Sequence, residues 1–155
     1  MGSKKVGDSK TIMTYLMSQN DVNLSGIVHG GVILKLIDTI AFVCATKHSG
    51  KVCVTASFDR VDFLNPIYIG ELVTLYGSIN YVGKTSMEIG ISIEAENIQT
   101  CKKRHTNTCF VTMVAIDKNK KPTMVPRLKP ETTEEKRRYK EAELRRKERL
   151  KIIRR

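Results

Sequence analysis

A single carboxylate in an otherwise apolar stretch is the first feature of this sequence that invites chemistry. Asp38 stands among Leu36, Ile37, Ile40 and Ala41, where an ionised group is costly to bury unless something pairs with it or uses it. Such a carboxylate can serve as a general base; the alternative is a solvated Asp on one exposed stripe, beside Lys35. Upstream lies Gly30-Gly31. Glycine lets another group approach the backbone, and free amides at a helix N-terminus can polarise a carbonyl oxygen. The same pair also fits a plain turn. His29 beside it has the ring nitrogens for a base or a hydrogen-bond donor, and fits a structural role equally well.

These residues need elements to hold them. From Val32 to about Lys47, apolar residues fall on i, i+3 and i+4 steps, which predicts a helix. Leu34, Ala41, Phe42 and Ala45 fill most of its remaining faces, so it belongs inside a protein. His48-Ser49-Gly50 ends it. Thr11 to Met17 alternates weakly as a first strand. After the helix, alternation predicts strands over Val52 to Phe63, Leu72 to Val82, Met87 to Ile98 and Thr106 to Ile116. Cys101-Lys102-Lys103-Arg104 and His105 read as an exposed basic connection. Glu131 to Arg155 reads as a charged helix, acids near its start and bases toward its end. One helix against one antiparallel sheet is an α+β class. The sheet edges left over point to dimerisation.

The chain has 155 residues, which fits one domain, and its 41% apolar residues suffice for one core. No stretch reaches the ~18 apolar residues of a membrane span, and residues 1–10 are polar and basic, unlike a secretory signal. A cytoplasmic protein without membrane insertion is expected. Cys44, Cys53, Cys101 and Cys109 form no C-x-x-C pair and are not spaced with the histidines as metal ligands. They are expected as reduced thiols. The net charge of +11 is concentrated in the last twenty residues, so charge alone does not mark a nucleic-acid binder.

The segment from Asn23 to Asp38, Asn-Leu-Ser-Gly-Ile-Val-His-Gly-Gly-Val-Ile-Leu-Lys-Leu-Ile-Asp, resembles the signature of hotdog-fold acyl-CoA thioesterases. It is most similar to the branch of YciA-type enzymes and cytosolic acyl-CoA hydrolases. Further matches follow in order. They are Val61-Asp62-Phe63 through Pro66 and Gly70, Val82-Gly83-Lys84-Thr85-Ser86-Met87, and Phe110-Val111 to Asp117. Val125-Pro126, Pro130-Glu131 and Glu134-Glu135-Lys136-Arg137-Arg138 resemble that branch's C-terminal extension. The resemblance covers roughly Thr11 to Arg146.

What the resemblance implies is specific. The fold is a hotdog, a sheet wrapped around the apolar helix. Residues 1–10 are a flexible N-terminus, 11–120 the thioesterase domain, and 121–155 a proline-containing linker with a basic helix. Asp38 pairs with Asn23 of a neighbouring subunit, as general base or nucleophile, and the thioester carbonyl sits at the Gly30-Gly31 helix end. Lys84, Thr85, Ser86, Arg127 and Lys129, with His29, are candidates for the CoA moiety. The acyl chain lies along the helix and Phe58 or Phe63. The assembly is a dimer, extended to a trimer of dimers. No metal or redox cofactor is implied. A hydratase on the same fold would need an Asp-x-Asn-Pro-x-His pattern; Asp21-Val22-Asn23 begins it, but Leu24 replaces the proline and His29 comes too late. A non-catalytic acyl-CoA sensor is the remaining alternative.

Overall fold

The computed structural model describes residues 2–153. Its elements are β1 (Ser3–Lys5), β2 (Thr11–Leu16), α1 (Gly30–Ser49), β3 (Cys53–Phe58), β4 (Glu71–Val82), β5 (Ser86–Asn97), β6 (Lys102–Ala115), β7 (Arg127–Lys129) and α2 (Thr133–Ile153). Five strands form one antiparallel sheet in the order β2-β4-β5-β6-β3. Alternation places Val73, Leu75, Ile89, Ile91, Val111 and Met113 on its inner face, all fully or nearly fully buried. There they meet Ile37, Ile40, Cys44 and Ala45 of α1. The helix lies close to β4 because Gly77 has no side chain: a Cβ there would stand 2.9 Å from the Cys44 sulfur and 3.1 Å from Ile40. Gly50, at φ +67°, closes α1 in the left-handed conformation and returns its N–H to Thr46.

The structure departs from the sequence expectations at several boundaries. Helix α1 starts two residues before Val32, taking in both glycines. Strand β3 stops at Phe58, so residues 59–63 are not the strand expected there. Asp59 makes the last ladder bond, to Phe110; its side chain is then taken by Arg149 and the Asp62 carbonyl by Asn107. Strand β6 begins at Lys102, not Thr106. The residues read as an exposed basic connection are therefore ladder residues, with Lys103 facing Glu96 and Arg104 reaching Glu71. No alternation predicts strands at β1 and β7, yet these pair in parallel, joining the N-terminal segment to the proline region.

The charged C-terminal helix spans Thr133–Ile153, and the expected end at Arg155 lies outside the described residues. It docks on the outer face of the sheet mostly through polar groups. Ala142 is its one buried residue among those described. Arg145 lies over the Phe110 ring at 3.7 Å, and Tyr139 packs on Tyr81 with ring centroids 4.9 Å apart. Arg145 and Arg149 both grip Glu88, a carboxylate only 2% exposed, and Arg149 also holds Asp59. Much of the remaining charge is spent within the helix, where Glu134 pairs with Arg137 and Arg138. Those two guanidiniums hold the Glu134 carboxyl down at about 2. Among the described residues no helix is long and apolar enough to cross a membrane.

Candidate active site

Asp38 is half-buried on the side of α1 that the sheet leaves open. Its Oδ1 accepts a hydrogen bond from the Thr55 hydroxyl at 2.5 Å. Leu34 and Phe42 flank it one turn away on the same open stripe, each more than a third exposed. Thr55 comes from β3. Alternation sets Val52, Val54, Ala56 and Phe58 on one face of this strand, and that apolar face points outward, with Val52 61% exposed. Cys53, Thr55 and Ser57 turn toward α1. The reason is that β3 is an edge strand, so its outward apolar row is a surface awaiting a partner. Thr55 was missed for this cause; a threonine alternating with a buried cysteine, opposite the helix that carries Asp38, was the available signal.

The helix start offers free amides. The first backbone bond of α1 runs from Val32 N–H to the His29 carbonyl, leaving the Gly30 and Gly31 N–H groups without backbone acceptors among the described residues. Gly31 is open to solvent, and Gly30 faces Phe63, whose ring would lie 3.4 Å from an added Cβ. His29 is the N-cap residue, exposed and without a side-chain capping bond. Its backbone N–H donates to the Asp21 carbonyl.

Asn23 lies in the loop before α1, and its Oδ1 accepts the backbone N–H groups of Ser25 and Ile27 at 2.9 and 3.1 Å. That Asx-type turn fixes the side chain while leaving its amide nitrogen outward. Asn23 and His29 line a cleft of about 630 Å³ with Leu24 and Ile69. No hydrogen bond joins Asn23 to Asp38 within the chain.

The expected CoA residues gather partly. Lys84 and Arg127 line one cleft of about 410 Å³ beside Met124 and Tyr139. Thr85 and Ser86 shape the β4–β5 turn through their carbonyls, which accept from Ala115 and Gly83. Lys129 faces Lys5 across the small ribbon. In the ladder, Thr55 opposes Met113 and Met113 opposes Met87. The turn therefore sits at the Thr55 end of the sheet, about 10 Å away over two strand spacings. Phe58 and Phe63 are both part-exposed.

The other titratable groups have structural surroundings. His48 is fully buried with Nε2 2.8 Å from the Pro126 carbonyl, and burial pushes its pKa below the ordinary value. His105 lies exposed on β6 beside Thr108. Burial pushes the Cys109 thiol up to about 12, leaving it a small apolar residue.

A carboxylate on the open side of a buried helix, two free amides at the helix start and an apolar edge strand stand together on this fold. A family model described as the thioesterase superfamily matches residues 25–102. The chain belongs to the thioesterase superfamily. It is an acyl-CoA thioesterase with the hotdog fold, by the company it keeps among solved structures. A hexameric acyl-CoA thioesterase superposes with a TM-score of 0.93 at 39% identity, over 99% of this chain and 98% of that one. The acyl-CoA hydrolase of Staphylococcus aureus, solved with butyryl coenzyme A, coenzyme A and coenzyme A disulfide, gives 0.88 at 35% identity over 98% and 92%. That thioesterase has also been solved as alanine variants of an Asp, an Asn and a Thr. In sequence, the protein VdlD of Helicobacter pylori is 46% identical over 140 residues, covering 90% of this chain and 79% of its own.

Proposed function

We propose that this thioesterase hydrolyses fatty acyl-CoA to the free acid and coenzyme A, with Asp38 of one subunit and Asn23 of another forming the reactive pair. The observation that carries this reading is the Asp38 carboxylate, half-buried, fixed by Thr55 and left on an open helix face. The alanine variants of the Staphylococcus aureus enzyme support it. Their Asn, Asp and Thr stand at the same separations along that chain as Asn23, Asp38 and Thr55 along this one.

Geometry argues for a second subunit. Gly30 and Asp38 are eight residues apart on one helix, about 12 Å along its axis, too far to serve the same carbonyl. A second copy packed antiparallel brings its own helix start opposite Asp38, and its Asn23 loop with it. The exposed apolar row of β3 and the open stripe of α1 are the surfaces such a dimer would cover. Three such dimers make a hexamer, the number of chains in the hexameric relative.

In that site the amides of Gly30 and Gly31 receive the thioester oxygen as negative charge develops on it. Asp38 takes a proton from water as the water oxygen bonds to the carbonyl carbon; direct attack by the carboxylate is the variant of this step. Asn23 orients the water or substrate. The C–S bond then breaks, and coenzyme A leaves as a thiolate that accepts a proton. A thiolate leaves readily, so a base, a positioned water and an oxyanion site suffice. Leu34, Phe42 and Phe58 offer an apolar track for the acyl chain. Lys84, Thr85, Ser86, Arg127, Lys129 and His29 are assigned to the phosphates and pantetheine arm. The cytoplasm is the compartment this reading assigns, supported by the four free thiols.

The test is thiol release from a panel of short to long acyl-CoAs, with Asp38→Ala and Asp38→Asn beside the wild type. Turnover of long chains, lost by a hundredfold or more in folded variants, is expected for a group acting on the reacting atoms. Unchanged hydrolysis in the variants would remove Asp38 from the mechanism. Coenzyme A binding without turnover of any member would leave a sensor instead.

A further inference from the structure

Arg104 makes no contact with Asp38, yet the hydrogen bonds it anchors lead to Asn23. It sits on β6, opposite Ala95 of β5, and reaches across to the start of β4. There Nη1 donates to Glu71 Oε1 at 2.6 Å and Nη2 donates to Glu71 Oε2 at 2.7 Å. Nη2 also donates to the Pro66 carbonyl at 2.7 Å. One guanidinium therefore ties together both ends of the 66–71 turn. Glu71 is only 6% exposed, and its Oε2 takes the Tyr68 N–H at 2.9 Å as well. The pairing holds the Glu71 carboxyl below the usual carboxylate range, with the Arg104 hydrogen bonds as the largest cause.

From this turn the bonds pass directly to the loop before α1. The Ile67 carbonyl accepts the Val28 N–H at 2.8 Å, and Ile69 N–H donates to the Gly26 carbonyl at 3.1 Å. Ile27 and Tyr68 form a β-bridge. Ile27 in turn exchanges bonds with Asn23: its carbonyl accepts the Asn23 N–H at 2.8 Å, and its N–H donates to Asn23 Oδ1 at 3.1 Å. The tip of this loop has no apolar anchor of its own, since Leu24 is fully exposed. The loop's base is closed by the Val22–Val28 bridge, its far side rests on the 66–71 turn, and Arg104 is the side chain that ties the two ends of that turn.

We infer that Arg104, acting through Glu71 and the 66–71 turn, is a positioning residue that aims the Asn23 side chain at the reaction centre. The inference rests on the reading of Asn23 as a catalytic group. Arginine is required rather than lysine because a planar fork alone satisfies two carboxylate oxygens and a separate carbonyl together. A clamp that merely supported the sheet would have no reason to act through Asn23, and that difference can be measured.

The experiment is a double-mutant cycle with Arg104→Lys, Asn23→Ala and the pair combined, reading kcat and KM on the best acyl-CoA of the panel. Arg104→Lys is expected to lower kcat roughly tenfold to a hundredfold, the loss a misplaced reacting group brings. KM should move by less than about threefold. The combined variant should turn over no more slowly than Asn23→Ala alone, because the two changes remove one function. Hydrogen exchange supplies an independent reading: the Val28 and Ile69 amides should exchange faster in Arg104→Lys, with the Leu75 amide in β4 unchanged. Should Arg104→Lys not fold, Glu71→Gln takes its place in the same cycle. Wild-type kcat in the clamp variant, or losses that multiply, would overturn the inference while leaving Asn23 in place. Wild-type kcat in Asn23→Ala, with Asp38→Ala inactive, would instead remove Asn23 from the proposed mechanism, and the inference with it.

Discussion

Replacing Thr55 by valine removes one hydroxyl and keeps the shape, so it isolates the bond that holds Asp38. That bond is 2.5 Å long and ends on a carboxylate. Hydrogen bonds to charged groups contribute about 1.5–3 kcal/mol. Asp38 is only half-buried, so water can replace part of the loss, and the lower end of the range, about 1.5 kcal/mol, is the appropriate figure. If the bond's worth is spent on aiming the carboxylate, kcat falls about tenfold. Thr55→Ser keeps the donor and should stay within about threefold of wild type. The assay is steady-state thiol release on a single acyl-CoA, with melting temperature followed in parallel. Folding should be little affected, because the methyl of valine preserves packing against α1. A Thr55→Val enzyme at wild-type kcat would mean that the hydroxyl does not aim the carboxylate. So would a Thr55→Ser enzyme as slow as the valine variant, since the hydroxyl would then not be the operative group.

Two further outcomes follow from the core. Gly77→Ala places a methyl 2.9 Å from the Cys44 sulfur; such overpacking costs about 1–3 kcal/mol and should lower the melting temperature by about 3–10 °C at fixed protein concentration. His48 has its pKa lowered by burial from the ordinary 6.5, so the folded state favours the neutral ring. Its contribution is therefore complete above that value and is lost as pH falls below it toward the lower folded pKa. Melting temperatures between about pH 5 and 7.5 should decline toward acid in the wild type, and less steeply in His48→Asn.

The sequence made the central elements legible because their periodicities are strong. Helix α1 and the long strands β4 and β5 carry unbroken apolar patterns, and their boundaries move by only a residue or two. The edges were harder. In β3 the outward face is as apolar as an inward one, and alternation alone cannot tell the two apart. That ambiguity concealed Thr55. At Lys102–His105 a run of basic residues resembles a loop, but its backbone pairs with Glu94–Asn97 of β5; only tertiary pairing reveals that. The β1–β7 ribbon has three residues in each strand, too few for any period. Asp38 and the glycine pair were legible from residue type and helix position. Asn23 was not, and came only from resemblance, because an asparagine in a loop is locally indistinguishable from a turn former.

The seam between α2 and the sheet has a consequence for how this protein can change over generations. Glu88 and Asp59 lie far in the sequence from Arg145 and Arg149 of α2, yet the pairs close at 2.7–2.9 Å. Losing Glu88 strands Arg145 and losing Arg149 strands Asp59, whereas losing Arg145 or Asp59 leaves the other three paired; a charge left without its partner is costlier than the pair's absence. Glu88 and Arg149, each holding two partners, should therefore be inherited together, with Arg145 and Asp59 freer to change. A C-terminal helix grafted from another thioesterase without arginines at these two positions would leave Glu88 and Asp59 without partners. Such a chimera would need residues 59 and 88 moved along with the helix before the transplant could seat.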